Sequence, residues 1–235
     1  MKDHDIDELL SAARVRSGDG PEEGPRPETL DRIAASLGSS LRSVRPVGPH
    51  WVLTVALVLG AGAVAAAGAA RSGFFGVEKM TAFERVLVFT TLGLLACAAA
   101  SESVLAMIPG SRRRISSGAL AGFGSLALLA AFALAFRDST VTHFVHAGLI
   151  CLVFGLIHAL PAALLAWLVL RRGLAIHPVS AGLAIGTLAG LAGVALLELH
   201  CSNFETAHVL VWHTAVVPIG AGLGALTAWL IRSRA

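Results

Sequence analysis

Charge is what this 235-residue sequence has least of: 14% of its residues are Asp, Glu, Lys or Arg, 55% are hydrophobic, and the mean hydropathy is +0.75. A soluble domain needs polar side chains to cover its core, so this scarcity rules against one and makes lipid the solvent for most of the chain. Cysteine is scarce as well. Cys97, Cys151 and Cys201 are too few for a disulfide framework and include no CxxC pair, so a redox or metal role rests on individual thiols. The first 50 residues hold no apolar run, the earliest starting at Trp51, so no secretory signal peptide is expected and the N-terminal segment is expected to stay in the cytoplasm. GxSxG, HExxH and a phosphate-cradling glycine loop are all missing, which argues against an enzyme. Paired intramembrane carboxylates are missing too. Glu102 alone sits well inside an apolar stretch, within reach of neutralisation by Arg112 to Arg114, and a transport pathway would need more polar lining than that.

The charge that is present is concentrated, with 16 of the 33 charged residues in positions 1–50. This places a boundary near His50, between a cytoplasmic N-terminal partner-binding region at 1–49 and a transmembrane domain at 50–235. Six apolar stretches of about 20 residues, the length that crosses a bilayer as a helix, lie near 51–70, 83–107, 117–136, 144–170, 179–200 and 206–231. They lack the alternation of barrel strands, so the expected fold is an all-α polytopic membrane bundle of six helices behind a short helical or disordered cytoplasmic region. With both termini inside, 14 Lys and Arg fall on the inner side and four (Arg71, Lys79, Arg85, Arg137) on the outer side. Topology thus accounts for the pI of 9.1 without direct nucleic-acid binding.

Gly182, Gly186 and Gly190 recur at four-residue spacing in the fifth span and Gly220 and Gly224 in the sixth, the signature of close helix packing in lipid. Pro161 should kink the fourth span and free a carbonyl near His158. In the N-terminal region, residues 5–15 form a weak helix and Gly18 to Pro27 a linker. From Glu28 on, Leu30, Ile33, Leu37 and Leu41 share one helical face. That stripe needs a surface: the membrane, the protein's own inner loops, or another protein.

Seven of the nine histidines follow residue 140, and His143, His146, His200, His208 and His213 fall at the outer ends of the last three spans. With Glu198, Cys201 and Glu205 they supply the nitrogen, thiolate and carboxylate donors of a transition-metal ion at the outer face. Glu198, His200, Cys201, His208 and His213 are the candidate ligands; the bland reading is that these groups hydrogen-bond one another and the loop. His208 and His213 are five apart, about 140° around an α-helix, which is not a same-face pair. Ser202 and Glu205 have capping-box spacing, so the sixth helix is expected to begin there. Cys151 can approach Cys201 if the fourth and fifth helices pack together, while Cys97 reads as an inert small hydrophobe. Two other functions compete: a haem-binding membrane redox protein with His143 or His146 and His208 or His213 as axial ligands, and a small-solute or metal permease.

The six-span layout, Leu199-His200-Cys201 at the end of helix five and Val209-Leu210-Val211-Trp212-His213 at the start of helix six, resembles the negative-regulator-of-SigF (NrsF) family. The resemblance spans residues 51–231. It implies a membrane-embedded anti-sigma factor that holds an extracytoplasmic-function (ECF) sigma factor at the bacterial inner membrane until a signal such as metal or thiol stress releases it. It also implies that Cys151 and Cys201 are the sensing pair. Leu30, Ile33, Leu37 and Leu41 would then be the apolar anchors for the sigma factor.

Overall fold

The computed structural model describes residues 27–40, 48–108, 110–111, 115–171 and 177–233. The chain divides into two units, Met1–Pro46 and Val47–Ala235. In the first, helix α1 (Pro27–Ser40) starts with proline at its first position, where a missing N–H costs nothing, and carries Glu28 in its first turn. Leu30 and Ile33 are each 50% exposed on it, an apolar face open within its own unit. The Leu37 side chain, Leu41, Arg112 to Arg114, Arg172 and Arg234 lie outside the described residues.

The second unit is the six-helix membrane bundle: α2 (His50–Ser72), a short α3 (Phe75–Lys79), α4 (Ala82–Leu105), α5 (Ser117–Ala135), α6 (Phe144–Leu170), α7 (Pro178–His200) and α8 (Thr206–Arg232). All but α3 are long and apolar enough to cross a bilayer, and their limits fall within two residues of the expected spans. Local chemistry sets the starts. Thr81 and Glu84 form a reciprocal capping box at α4, and Ser116 Oγ accepts the Ala119 N–H at α5. Helix α6 runs unbroken past Pro161, and the His158 ring nitrogen Nδ1 lies 2.9 Å from the Phe154 carbonyl.

Helix α7 is the axle. Its most apolar window is 72% buried, against 22–33% for the other five spans, and it touches α2, α3, α4, α5, α6 and α8. Glycine is what lets the neighbours come so close. A Cβ on Gly190 would lie 2.8 Å from Val217 Cα, and one on Gly186 would run into the Gly220 carbonyl, so α7 and α8 meet backbone to backbone along the expected ladder. Gly193 of α7 stands in the same relation to α6, where a Cβ would sit 2.5 Å from the Gly155 oxygen. Leu57, Val88, Leu128, Phe132, Val194 and Leu197 fill the remaining core.

Candidate functional site

Three connections, 73–81, 136–143 and 201–205, meet at one end of the bundle, where α7 finishes and α6 and α8 begin. The last turn of α7 delivers Glu198, with no exposed surface, and leads directly to Cys201. Helix α6 supplies Cys151 from its second turn. The two sulfurs are 3.6 Å apart and both cysteines are free thiols.

Helix α8 starts with one α turn, Thr206–His208, and then widens into a π turn over Val209–His213, in which the Thr214 N–H reaches back to the Val209 carbonyl. An i→i+5 hydrogen bond adds about one residue to the turn and brings residues five apart toward the same face. The 140° separation expected of a regular α-helix is thereby corrected: the rings of His208 and His213 are edge-to-face with centroids 5.2 Å apart, both fully buried. Cys201 Sγ is 3.8 Å from His208 Nε2, and His213 Nδ1 is 2.6 Å from Glu198 Oε1. One ligand atom from each of Cys151, Cys201, His208 and His213 lies within 4.8 Å of the others. Among buried polar atoms, His213 Nε2, His208 Nδ1 and Glu198 Oε2 have no hydrogen-bond partner. Two thiols and two imidazoles are a donor set for zinc-like ions.

Of the other candidates, His200 is not brought into this cluster. Its Nδ1 lies 3.1 Å from the Gly73 carbonyl, and its ring packs between Phe75 and Phe154. Glu198 reaches the cluster through the His213 ring. His143 and His146 are exposed at the start of α6, His143 in a left-handed conformation with φ 47°.

The neighbouring connections roof the cluster. Gly76 of α3 presses on the end of α7, where a Cβ would lie 2.5 Å from the Glu198 carbonyl oxygen and 2.6 Å from that of Cys201. Helix α8 does begin beside this pair, with Glu205 as its N-cap residue, but Glu205 closes no capping box with Ser202, because Thr142 claims its carboxylate. The Thr142 amide donates to both carboxylate oxygens at 3.1 Å, and the Thr142 hydroxyl donates to Oε1. Thr206 ties the same connections together, its amide donating to the Asp138 carbonyl at 2.8 Å and its hydroxyl to that of Phe136 at 3.1 Å. Phe136 and Phe204 stack over the junction at 4.7 Å. Sequence reading missed this clasp because no local pattern relates residues more than 60 positions apart.

Electrostatics follow from these partners. The Thr142 hydroxyl and amide hold the Glu205 carboxyl below the usual carboxylate range, and Thr140 does the same for Asp138. The adjacent Cys151 thiol, followed by burial, pushes the Cys201 thiol up, outweighing the opposite pull of His208 and His213. Cys201 is therefore a neutral thiol near pH 7 unless an electrophile or a metal takes its proton's place.

A family model described as negative regulator of sigma F matches residues 37–232, which include all six membrane helices. No curated protein and no solved structure matches the chain.

Proposed function

Because the chain belongs to the family of negative regulators of sigma F, we propose that it is an anti-sigma factor that tethers an ECF-type sigma factor to the bacterial inner membrane and releases it on an extracytoplasmic metal or thiol stress. The observation that carries the input half is the meeting of Cys151 and Cys201, 3.6 Å apart, at the end of the bundle away from His50 and Arg232. The 14-to-4 bias of Lys and Arg supports placing both termini in the cytoplasm and this thiol pair on the far side. The output half rests on residues 1–49, where α1 exposes Leu30 and Ile33 on the face that also carries position 37. Such anchors suit an apolar groove on a sigma factor. Release then requires that the altered and unaltered packings of α6, α7 and α8 differ in affinity for the partner, since a ligand shifts an equilibrium only by its differential binding.

A haem reading fits the geometry less well. The His208 and His213 rings, both buried, meet edge to face with the Cys201 thiol beside His208, while His143 and His146 are exposed.

Co-purification of the sigma factor with the full-length protein tests both halves. Leu30→Asp with Ile33→Asp should abolish capture, because each buried aliphatic side chain is worth about 1.5–3 kcal/mol and the pair therefore more than a hundredfold in affinity. Cys151→Ser with Cys201→Ser should keep capture and lose stress-induced release. Release that survives the double change removes the cysteines from sensing.

A further inference from the structure

The thiol pair does not stand alone. Taking the cluster as the regulator's input, we propose that Cys151, Cys201, His208 and His213 form a closed four-ligand site for one zinc-class divalent cation, with Glu198 as a positioning residue for His213.

Distances come first. Tetrahedral zinc with bonds of about 2.3 Å to sulfur and 2.0–2.1 Å to nitrogen sets its ligand atoms about 3.3–3.8 Å apart. The separations of 3.6 Å between Cys151 and Cys201 and 3.8 Å between Cys201 and His208 already lie in that range, and none of the four exceeds 4.8 Å. Ligands come from three places (α6, the C-cap of α7 and the first turns of α8), so the fold arranges them rather than one flexible loop.

Second is the state of the imidazoles. Glu198 Oε1 is fully buried and 2.6 Å from His213 Nδ1; with Nδ1–H given to that hydrogen bond, Nε2 is the nitrogen left to bind an ion. This is the carboxylate–histidine arrangement that orients metal-bound imidazoles elsewhere. His213 Nε2 is buried and makes no hydrogen bond, a cost that a structure rarely bears without a use.

Third is charge. Binding displaces one proton from each thiol to solvent, so two positive charges leave as two enter, and the buried cluster, the Glu198 carboxylate included, takes up no net charge with the ion. Nitrogen and sulfur donors disfavour magnesium and calcium. Cys151, half-buried where the other three are buried, is the ligand an arriving ion meets first.

The test uses the full-length protein, reduced and stripped of metal, in lipid nanodiscs and titrated with Co2+ and then Zn2+. The expected result is one equivalent of Co2+ per chain with a tetrahedral spectrum and thiolate charge-transfer bands, bleached by one equivalent of Zn2+. Cys97→Ser should leave this unchanged, while Cys151→Ser, Cys201→Ser, His208→Asn and His213→Asn should each abolish stoichiometric binding. Glu198→Gln should weaken it about 10–100-fold, with Glu198→Asp restoring most of the loss, and this pair decides the matter if the histidine variants do not fold. Wild-type binding in folded His208→Asn and His213→Asn, an octahedral cobalt spectrum, or no effect of Glu198→Gln would overturn the site and leave a bare dithiol. Zinc binding is read without a sigma factor. A protein that binds zinc but captures no sigma factor would therefore keep the site and discard the regulatory reading.

Discussion

Replacing Gly186 by alanine should destabilise the bundle although it adds only one methyl group. On Gly186 that methyl would collide with the Gly220 carbonyl and lie 2.9 Å from Ala221 Cα. Both obstacles are backbone, so no rotamer change relieves them, and α8 must move away from α7. Overpacking of this kind costs about 1–3 kcal/mol. Gly222 is the internal control: it lies on the same helix as Gly220, and a Cβ there meets nothing within 4 Å. Gly222→Ala should therefore gain the ordinary helix preference of alanine over glycine, about 0.5–1 kcal/mol. The two substitutions share their chemistry and differ only in what surrounds them, so the predicted gap is about 1.5–4 kcal/mol. Reversible unfolding in mixed micelles, followed by far-ultraviolet circular dichroism, measures it. Equal stabilities for Gly186→Ala and Gly222→Ala would refute backbone contact between α7 and α8 as the organising interaction.

Two predictions concern pH. The Glu205 carboxyl is held below its unfolded value of about 4.3, so its contribution to the clasp is complete above that pH and is lost as pH falls through the lower folded value. Hydrogen exchange of the Thr206 amide, corrected for its intrinsic rate, should show protection falling below about pH 4.3, and Thr142→Val should move that fall to higher pH; an unchanged profile would dismiss Thr142 as the cause. In a Cys97→Ser background, alkylation of Cys201 should rise only above the free-thiol pKa of about 8.5. Cys151→Ser, which removes the largest upward influence, should shift that profile to lower pH, and a shift the other way would contradict it.

Hydropathy made the six spans legible, because only helices of this length satisfy their backbone in lipid, and each falls within two residues of its expected limits. The glycine ladder was legible for a related reason: in lipid, close approach rather than apolarity drives helices together. The cluster was half legible. Cys201, His208 and His213 stand out as polar residues at the ends of apolar spans, but treating α8 as a regular helix set its two histidines on different faces. A π turn leaves no residue pattern that a period of 3.6 detects, and here it reverses the conclusion. Likewise, Ser202 and Glu205 have the spacing of a cap. A carboxylate goes to the better donors, however, and the Thr142 amide and hydroxyl, 63 residues away in sequence, outbid the local partner.

The cluster joins α6 to the α7–α8 pair, and what lies below it on α6 suggests how a small change there is enlarged. Gly155 packs against Gly193 with almost no separation, and beyond that contact α6 parts from α7 and α8 around a cavity of about 760 Å3 lined by Ala163, Leu164, Gly182 and Leu223. Cys151 is four residues on one side of the glycine contact and Leu164 nine on the other, about 6 Å and 13.5 Å at 1.5 Å per residue. Closing the widest of the ligand separations, at most 4.8 Å, to the spacing around a tetrahedral ion takes about 1 Å of movement, and α6 is the element expected to make it, carrying Cys151 with it. Pivoting at Gly155, that movement should part Leu164 from Leu223 by about 2 Å. Spectroscopic labels carried by noncanonical amino acids at positions 164 and 223 would report it, with Ile185 and Leu223, which belong to the tightly packed α7–α8 pair, as the reference distance. Zinc should lengthen the first distance and leave the second alone. If sigma release occurs with both distances fixed, α6 is not the moving part.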